Sequence, residues 1–455
     1  MSVTGRGLLN NVRCAVSTDR RTSNVVVNSI GSALLKGTSM CCSLVVVPLT
    51  INYLNAEVYG LWMAISSILY WIAFMDIGLG NGMRNHISRA FALGDMGAVR
   101  SYFSTAIFYL GFLAVAMGLF FIPLIGHIDL KSLLNSRQLD SEQLVSVMSV
   151  AVCLTLVQFV VKNIGLVYVA MQKYAVNDFI LFVSNLLTLL SIFILTKTVE
   201  PNLCYIVVAF TATPIVVYLL SAIPLLRRHP ELSPSISSIN NHAAMNIIGK
   251  GLGFFVIQIT SCIAIFGSAN IFISHFFGPE HVTAYNVAYK YFNLLIVGYT
   301  VILAPLWNAY TEAYAKHDCL WIKRTYLRSL KFWGLVSAVG VIMLAVSPLF
   351  FRFWVGSSVE IPWELSVAVF AYVSFFNFAN ASAHLLNGLS ILRVHIITSI
   401  VIALLYLLSV IVLEEWLSPV GIIVLMAFSY FIMGIIYAYQ CKLVIEQRAS
   451  GVWSK

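Results

Sequence analysis

The sequence predicts an all-α integral membrane protein, with about 12 transmembrane helices in two six-helix lobes around a central cavity. Three observations predict it. The 455 residues are 60% hydrophobic and 10% charged, with a mean hydropathy of +0.90, whereas soluble domains carry about a quarter charged residues. Apolar stretches long enough to cross a bilayer as helices recur along the chain, and helices satisfy their own backbone in lipid where open sheets cannot. The chain also matches itself when slid by about half its length.

The spans are expected at 26–51, 58–79, 103–125, 144–170, 179–198, 204–226, 249–275, 284–305, 332–353, 364–386, 396–413 and 419–440. Residues 1–24 are rich in Ser, Thr, Asn and Arg and lack an apolar core followed by a small-residue cleavage site, so a cytoplasmic tail is expected. Orientation follows from the 27 Lys and Arg, because cytoplasmic loops retain positive charge. With the N-terminus inside, the outer loops keep only Lys131, Arg137, Lys197 and Arg352, while most of the remainder, such as Arg84, Arg89, Arg227, Arg228, Lys323 and Arg324, fall on the inner side. Both termini are therefore expected in the cytoplasm, with residues 442–455 as a second tail.

Acids concentrate opposite, at Glu57, Asp129, Asp140, Glu142, Glu200, Glu280, Glu360 and Glu364. The net charge of +9 is thus an inner-face property, and nucleic acid is not an expected partner. Trp354, Trp363 and Trp416 fall where an outer aromatic belt would lie. The eight cysteines show no C-x-x-C and no paired spacing, so neither a metal site nor a disulfide framework is expected. The stretch "FMDIGLGNGMRN" spaces Gly78, Gly80 and Gly82 as G-x-G-x-G, which is not the G-x-G-x-x-G of a dinucleotide loop. With no triad, paired-carboxylate motif or phosphate loop, no cofactor and no enzyme activity are expected.

A shift of 223 residues pairs Glu57 with Glu280, Asn85 with Asn308, Ala90 with Ala313, Ala92 with Ala315 and Asp95 with Asp318. Chance matching of apolar segments is the alternative, and identities in polar, non-spanning residues argue against it. Duplication gives lobes at 25–226 and 249–441, joined by a cytoplasmic linker at 227–248. Six spans per lobe make the repeats parallel, the design in which carriers bind between halves and rock to alternate access. The stretch 80–102 and its counterpart each read as a helix-ending turn followed by an amphipathic interfacial helix.

Charges inside spans cost a few kcal/mol each, so their positions matter. Span 1 carries Asn28, Ser32, Lys36, Ser39 and Ser43 on one helical face. Span 8 carries Asn286, Lys290 and Asn293; span 7 carries Lys250; span 4 ends with Lys162; and span 10 carries Asn377, Asn380 and His384. Two readings compete: interhelical hydrogen bonding in a packed bundle, or a water-filled cationic cavity. Each lysine lacks an acid at i±3 or i±4 on its own helix, which favours the cavity. Lys162 and Lys250 have the further option of snorkelling to the inner interface. Asp76, which could instead pair with Arg84, and Asp178 are the candidates for ion coupling. Pro48, Pro214 and Pro305 are expected to kink their spans.

"FMDIGLGNGMRNHISRAFALGD", "APLWNAYTEAYAKHD" with "WIKR", and "NASAHLLNGL" resemble the polysaccharide-transport proteins of bacteria, especially Wzx-type O-antigen flippases of the multidrug/oligosaccharidyl-lipid/polysaccharide exporter superfamily. The resemblance implies translocation of undecaprenyl-pyrophosphate-linked oligosaccharide units from the cytoplasmic to the periplasmic leaflet of the inner membrane, driven by an ion gradient. It also implies O-antigen polymerase and chain-length regulator proteins as neighbours. A multidrug or cation antiporter of the same superfamily, and a membrane enzyme of polysaccharide assembly, are the alternatives.

Overall fold

A computed structural model describes residues 20–75, 79–241, 244–245, 259–260, 265 and 267–454. The chain is an all-α, multi-pass membrane protein, and no strand occurs among the described residues. Its α-helices are α1 (Arg20–Leu54), α2 (Ala56–Phe74), α3 (Leu79–Leu93), α4 (Met96–His127), α5 (Leu130–Leu133), α6 (Ser141–Val161), α7 (Asn163–Ala170), α8 (Tyr174–Thr198), α9 (Leu203–Arg228), α10 (Ser268–Phe277), α11 (Pro279–Ala315), α12 (Cys319–Trp354), α13 (Trp363–Gly388), α14 (Arg393–Val412) and α15 (Pro419–Ile445).

Ten helical stretches among the described residues are long and apolar enough to cross a membrane. Of the twelve expected spans, the second is the shorter apolar helix Ala56–Ile72, and the seventh falls largely outside the described residues, with α10 as its end. Several helices overrun their apolar segments. Span 9, expected at 332–353, is α12 from Cys319, because hydropathy sees the lipid-embedded part while the helix continues into polar surroundings. Residues 163–170 form a separate helix after a break at Lys162.

The chain forms two compact units that interleave in sequence. The first comprises residues 1–49, 76–123 and 149–251; the second comprises 50–75, 124–148 and 252–455. In the first, α3 packs on α7, and α7 and α8 on α9. In the second, α13 is central, against α11, α12 and α15, and α2 packs on α11. Outward faces of α4 (Phe112, Val115, Leu119, Phe120) and of α12 (Leu335, Ile342, Leu349, Phe353) leave large apolar side chains exposed, as lipid contact requires. Trp363 and Trp416 are exposed as well.

The 223-residue shift reappears in local geometry. Gly94 and His317, one shift apart, both take a left-handed φ, of 72° and 57°. Each is followed by an aspartate that caps the next helix: Asp95 accepts the Ala98 N–H at 2.9 Å and Asp318 accepts the Trp321 N–H at 3.0 Å. Glycine takes this conformation freely, whereas histidine does so at a cost, so the turn itself is being maintained. Asn55 and Gly278, again one shift apart, precede α2 and α11 with φ of 79° and 106°.

One expectation needs correction. In the first half the amphipathic stretch is a helix of its own, α3, burying Leu79, Met83, Ile87 and Ala90 on one face. In the second half its counterpart is the end of α11, which runs unbroken to Ala315. No separate interfacial helix forms there, because its alanines and aromatics extend the helical pattern of α11 across Pro305.

Candidate functional site

In the first unit, Lys36 of α1 meets Asp178 at the start of α8, Nζ to carboxylate 3.6 Å. The aspartate is 8% exposed and the lysine 58% exposed. Further along the same two helices, Asn185 Nδ2 donates to Ser39 Oγ. The missing acid of Lys36 therefore comes from another helix, a contact that spacing within one helix cannot reveal. Lys162, half-buried at the α6–α7 break, places its ammonium 5.3 Å from the Phe159 ring centroid, a cation–π contact. Asp76 and Lys250 lie outside the described residues. Arg84, proposed as a partner for Asp76, donates to Asn85 Oδ1 from Nε and Nη2 at 3.3 and 3.2 Å.

In the second unit the predicted face of α11 divides into two parts. Asn286 is buried; its Nδ2 donates to Asn270 Oδ1 of α10 and to the Val282 carbonyl, both at 2.8 Å. Asn270 in turn donates to Ser67 Oγ of α2 at 2.8 Å. Three helices thus share one buried amide network, and hydrogen bonding of this kind is what a buried polar group requires. One turn further, Lys290 is half-buried and has no ion-pair or hydrogen-bond partner among the described residues. Asn293 is half-buried and accepts from Tyr289 Oη at 3.2 Å.

On α13, which packs against α11, Asn377 is buried and donates from Nδ2 to the Leu295 carbonyl at 3.3 Å, leaving its Oδ1 unpartnered. Asn380 is half-buried, and its carbonyl accepts His384 Nδ1–H at 2.9 Å. That assigns the proton to Nδ1 and leaves Nε2 as the acceptor of a neutral ring. The His384 ring stands edge-on to Trp307, centroids 5.8 Å apart. Tyr289 lies 6.1 Å from Tyr372, which contacts Tyr430 at 5.5 Å. The second unit therefore joins one uncompensated cation, amides and aromatic rings on two contacting helices.

Sequence reasoning missed Asn270 and Ser67, although both are visible as polar residues within apolar spans. It also passed over the aromatic partners Tyr289 and Trp307, which composition cannot separate from core. No group of His, Cys, Asp and Glu suited to a metal occurs among the described residues.

Neither a protein-family model nor a curated protein matches the chain; solved structures do. An inward-facing conformation of a multidrug resistance MATE family transporter of the MOP superfamily is similar at 16% identity and a TM-score of 0.73, over 92% of this chain and 95% of that one. An outward-facing conformation of a multidrug resistance MATE family transporter is similar at 15% identity and a TM-score of 0.67, over 94% and 96%. A MOP superfamily transporter from Pyrococcus furiosus, described as having a binding pocket of reverse polarity that suggests a different function, is similar at 16% identity and a TM-score of 0.66, over 94% and 96%. At these identities the likeness is one of fold: the chain has the MATE transporter fold, solved in both inward- and outward-facing conformations.

Proposed function

We propose that this protein is a flippase that moves undecaprenyl-pyrophosphate-linked oligosaccharide units from the cytoplasmic to the periplasmic leaflet of the bacterial inner membrane by alternating access. One observation carries the reading: Lys290 sits about three turns into an apolar helix without a partner among the described residues. An intramembrane cation costs a few kcal/mol and marks a functional position by default. An anionic cargo rich in hydroxyls repays that cost, with Lys290 on pyrophosphate and Asn293, Asn380 and His384 on hydroxyls. Lys250 and Asn377 extend the proposed set and Asp76 is the proposed coupling carboxylate, whereas Lys36 with Asp178, Lys162 and Asn286 are engaged within the bundle and are assigned to its integrity. The Pyrococcus transporter, whose description reports reversed pocket polarity, is a precedent for such variation within the superfamily.

In this reading the lobes are 25–226 and 249–441, both termini are cytoplasmic, and a polymerase and a chain-length regulator receive the product. A second reading, multidrug or cation antiport, is favoured by the aromatic group Tyr289, Tyr372, Phe376 and Tyr430 and by the fold shared with multidrug resistance MATE family transporters.

The test is surface-glycan display in a host deleted for the gene and then restored, with lipid-linked units assigned to a leaflet. Loss of surface glycan with units trapped inside, rescued by the gene, is the expected result. Units that reach the outer leaflet unpolymerised would indicate an enzyme instead, and an unchanged surface would indicate the antiporter.

A further inference from the structure

Glu57 and Glu280, one repeat shift apart, occupy the first turns of α2 and α11. These helices pack together within the second unit. Gly60 approaches the Pro279 carbonyl so closely that a Cβ at residue 60 would overlap it, and Thr283 Oγ1 donates to the Ala56 carbonyl at 2.6 Å. Residues 133–140 cross their ends. The Glu57 carboxylate accepts the backbone N–H groups of Arg137 at 2.9 Å and Gln138 at 3.1 Å. Asn55 Nδ2 donates to Gln138 Oε1 at 2.8 Å, and the Arg137 guanidinium reaches the Glu280 carboxylate at 3.7 Å. Ser274 Oγ, near the end of α10, donates to the Leu134 carbonyl at 2.7 Å. About two turns deeper on α2, the Ser67–Asn270–Asn286 network closes the same interface.

We propose that this clasp is the latch of a gate on the acidic side: residues 133–140 hold the ends of α2 and α11 together, and the joint parts when the carrier opens to that side. The proposal rests on alternating access as read above and not on the identity of the cargo. The chemistry suits a joint that opens. Arg137 and Glu280 are 68% and 37% exposed, so water competes for both and their attraction is weak. The two N–H groups held by Glu57 are charge-assisted and carry more of the closure. The contact at Gly60 depends on bare backbone, which parts without unthreading side chains.

Ser67→Cys provides the readout, through its labelling by a membrane-impermeant maleimide applied to spheroplasts, with the natural cysteines as background. Labelling is slow in that single variant. Adding Glu57→Ala speeds it about tenfold, and adding Arg137→Ala speeds it about two- to threefold, in line with the strengths of charge-assisted and exposed pairs. Gly60→Leu speeds it as well. Lys316→Ala, which removes the exposed Lys316–Glu312 pair at the far end of α11, leaves it unchanged. Unaltered labelling in both Glu57→Ala and Gly60→Leu at normal abundance would make the joint permanent and overturn the proposal. Faster labelling in a protein that never restores glycan display would keep the latch and remove the cargo. Restored display with unresponsive labelling would do the reverse.

Discussion

Lys36 in the first unit and Lys290 in the second are both cations on polar helix faces, yet they are satisfied differently. Lys36 finds Asp178 on another helix at 3.6 Å. Lys290 finds no partner among the described residues, on a helix that also carries Asn286 and Asn293. The first arrangement is self-contained: its charge is neutralised whether or not a ligand is present. Under the proposed function the second is completed only by an anionic cargo, which assigns binding to Lys290 and integrity to the Lys36 pair.

The largest expected effect is on transport. Lys290→Ala lowers glycan export by about tenfold or more, as loss of a charge-assisted contact implies, while abundance and thermal stability are kept or raised because a buried cation is gone. Export at the native level would remove the contrast with Lys36. Next comes stability. Lys36→Ala removes the cation facing the buried Asp178 carboxylate and costs about 1–2 kcal/mol, the exposure of the lysine having reduced the usual penalty for a broken pair. A melting temperature lower by about one to two degrees checks this, and pairing Lys36→Met with Asp178→Leu restores it if charge is the cause.

Asn286→Ala separates network from cavity. It removes an amide shared with Asn270 and costs about 1 kcal/mol, with export falling only in proportion to folded protein. A larger fall in export at normal abundance would move Asn286 from the network to the cargo. The smallest effect is expected for Lys162→Leu, about 0.5 kcal/mol from a cation–π contact with Phe159, measured as a shift of about half a degree.

These cases also mark what the sequence could reveal. Membrane class and the helical spans were legible because bilayer thickness acts on many residues at once. The ends of α11 and α12 were not, because hydropathy stops where lipid stops while backbone hydrogen bonding goes on. Lys290 was legible as an oddity within one helix. The partner of Lys36 was not, since Asp178 is far along the chain and only packing of α1 with α8 brings them within reach. Asn286 was legible as polar but not as engaged, for the same reason: Asn270 and Ser67 sit on two further helices.

If the 223-residue repeat records a duplication, the joint between α2 and the start of α11 sets a segment against its own copy, an arrangement that a half-length ancestor reaches only by pairing with a second copy of itself. In such a homodimer the contact is isologous, and every residue that acts across it acts twice. Tandem fusion lifts that constraint. The repeat shift carries Arg137 onto Glu360; Glu280 meets a guanidinium while Glu57 is held by two backbone N–H groups, and the two edges of the joint differ in strength. A paired ancestor would have had to hold both edges alike; the fused chain is free to let one yield first.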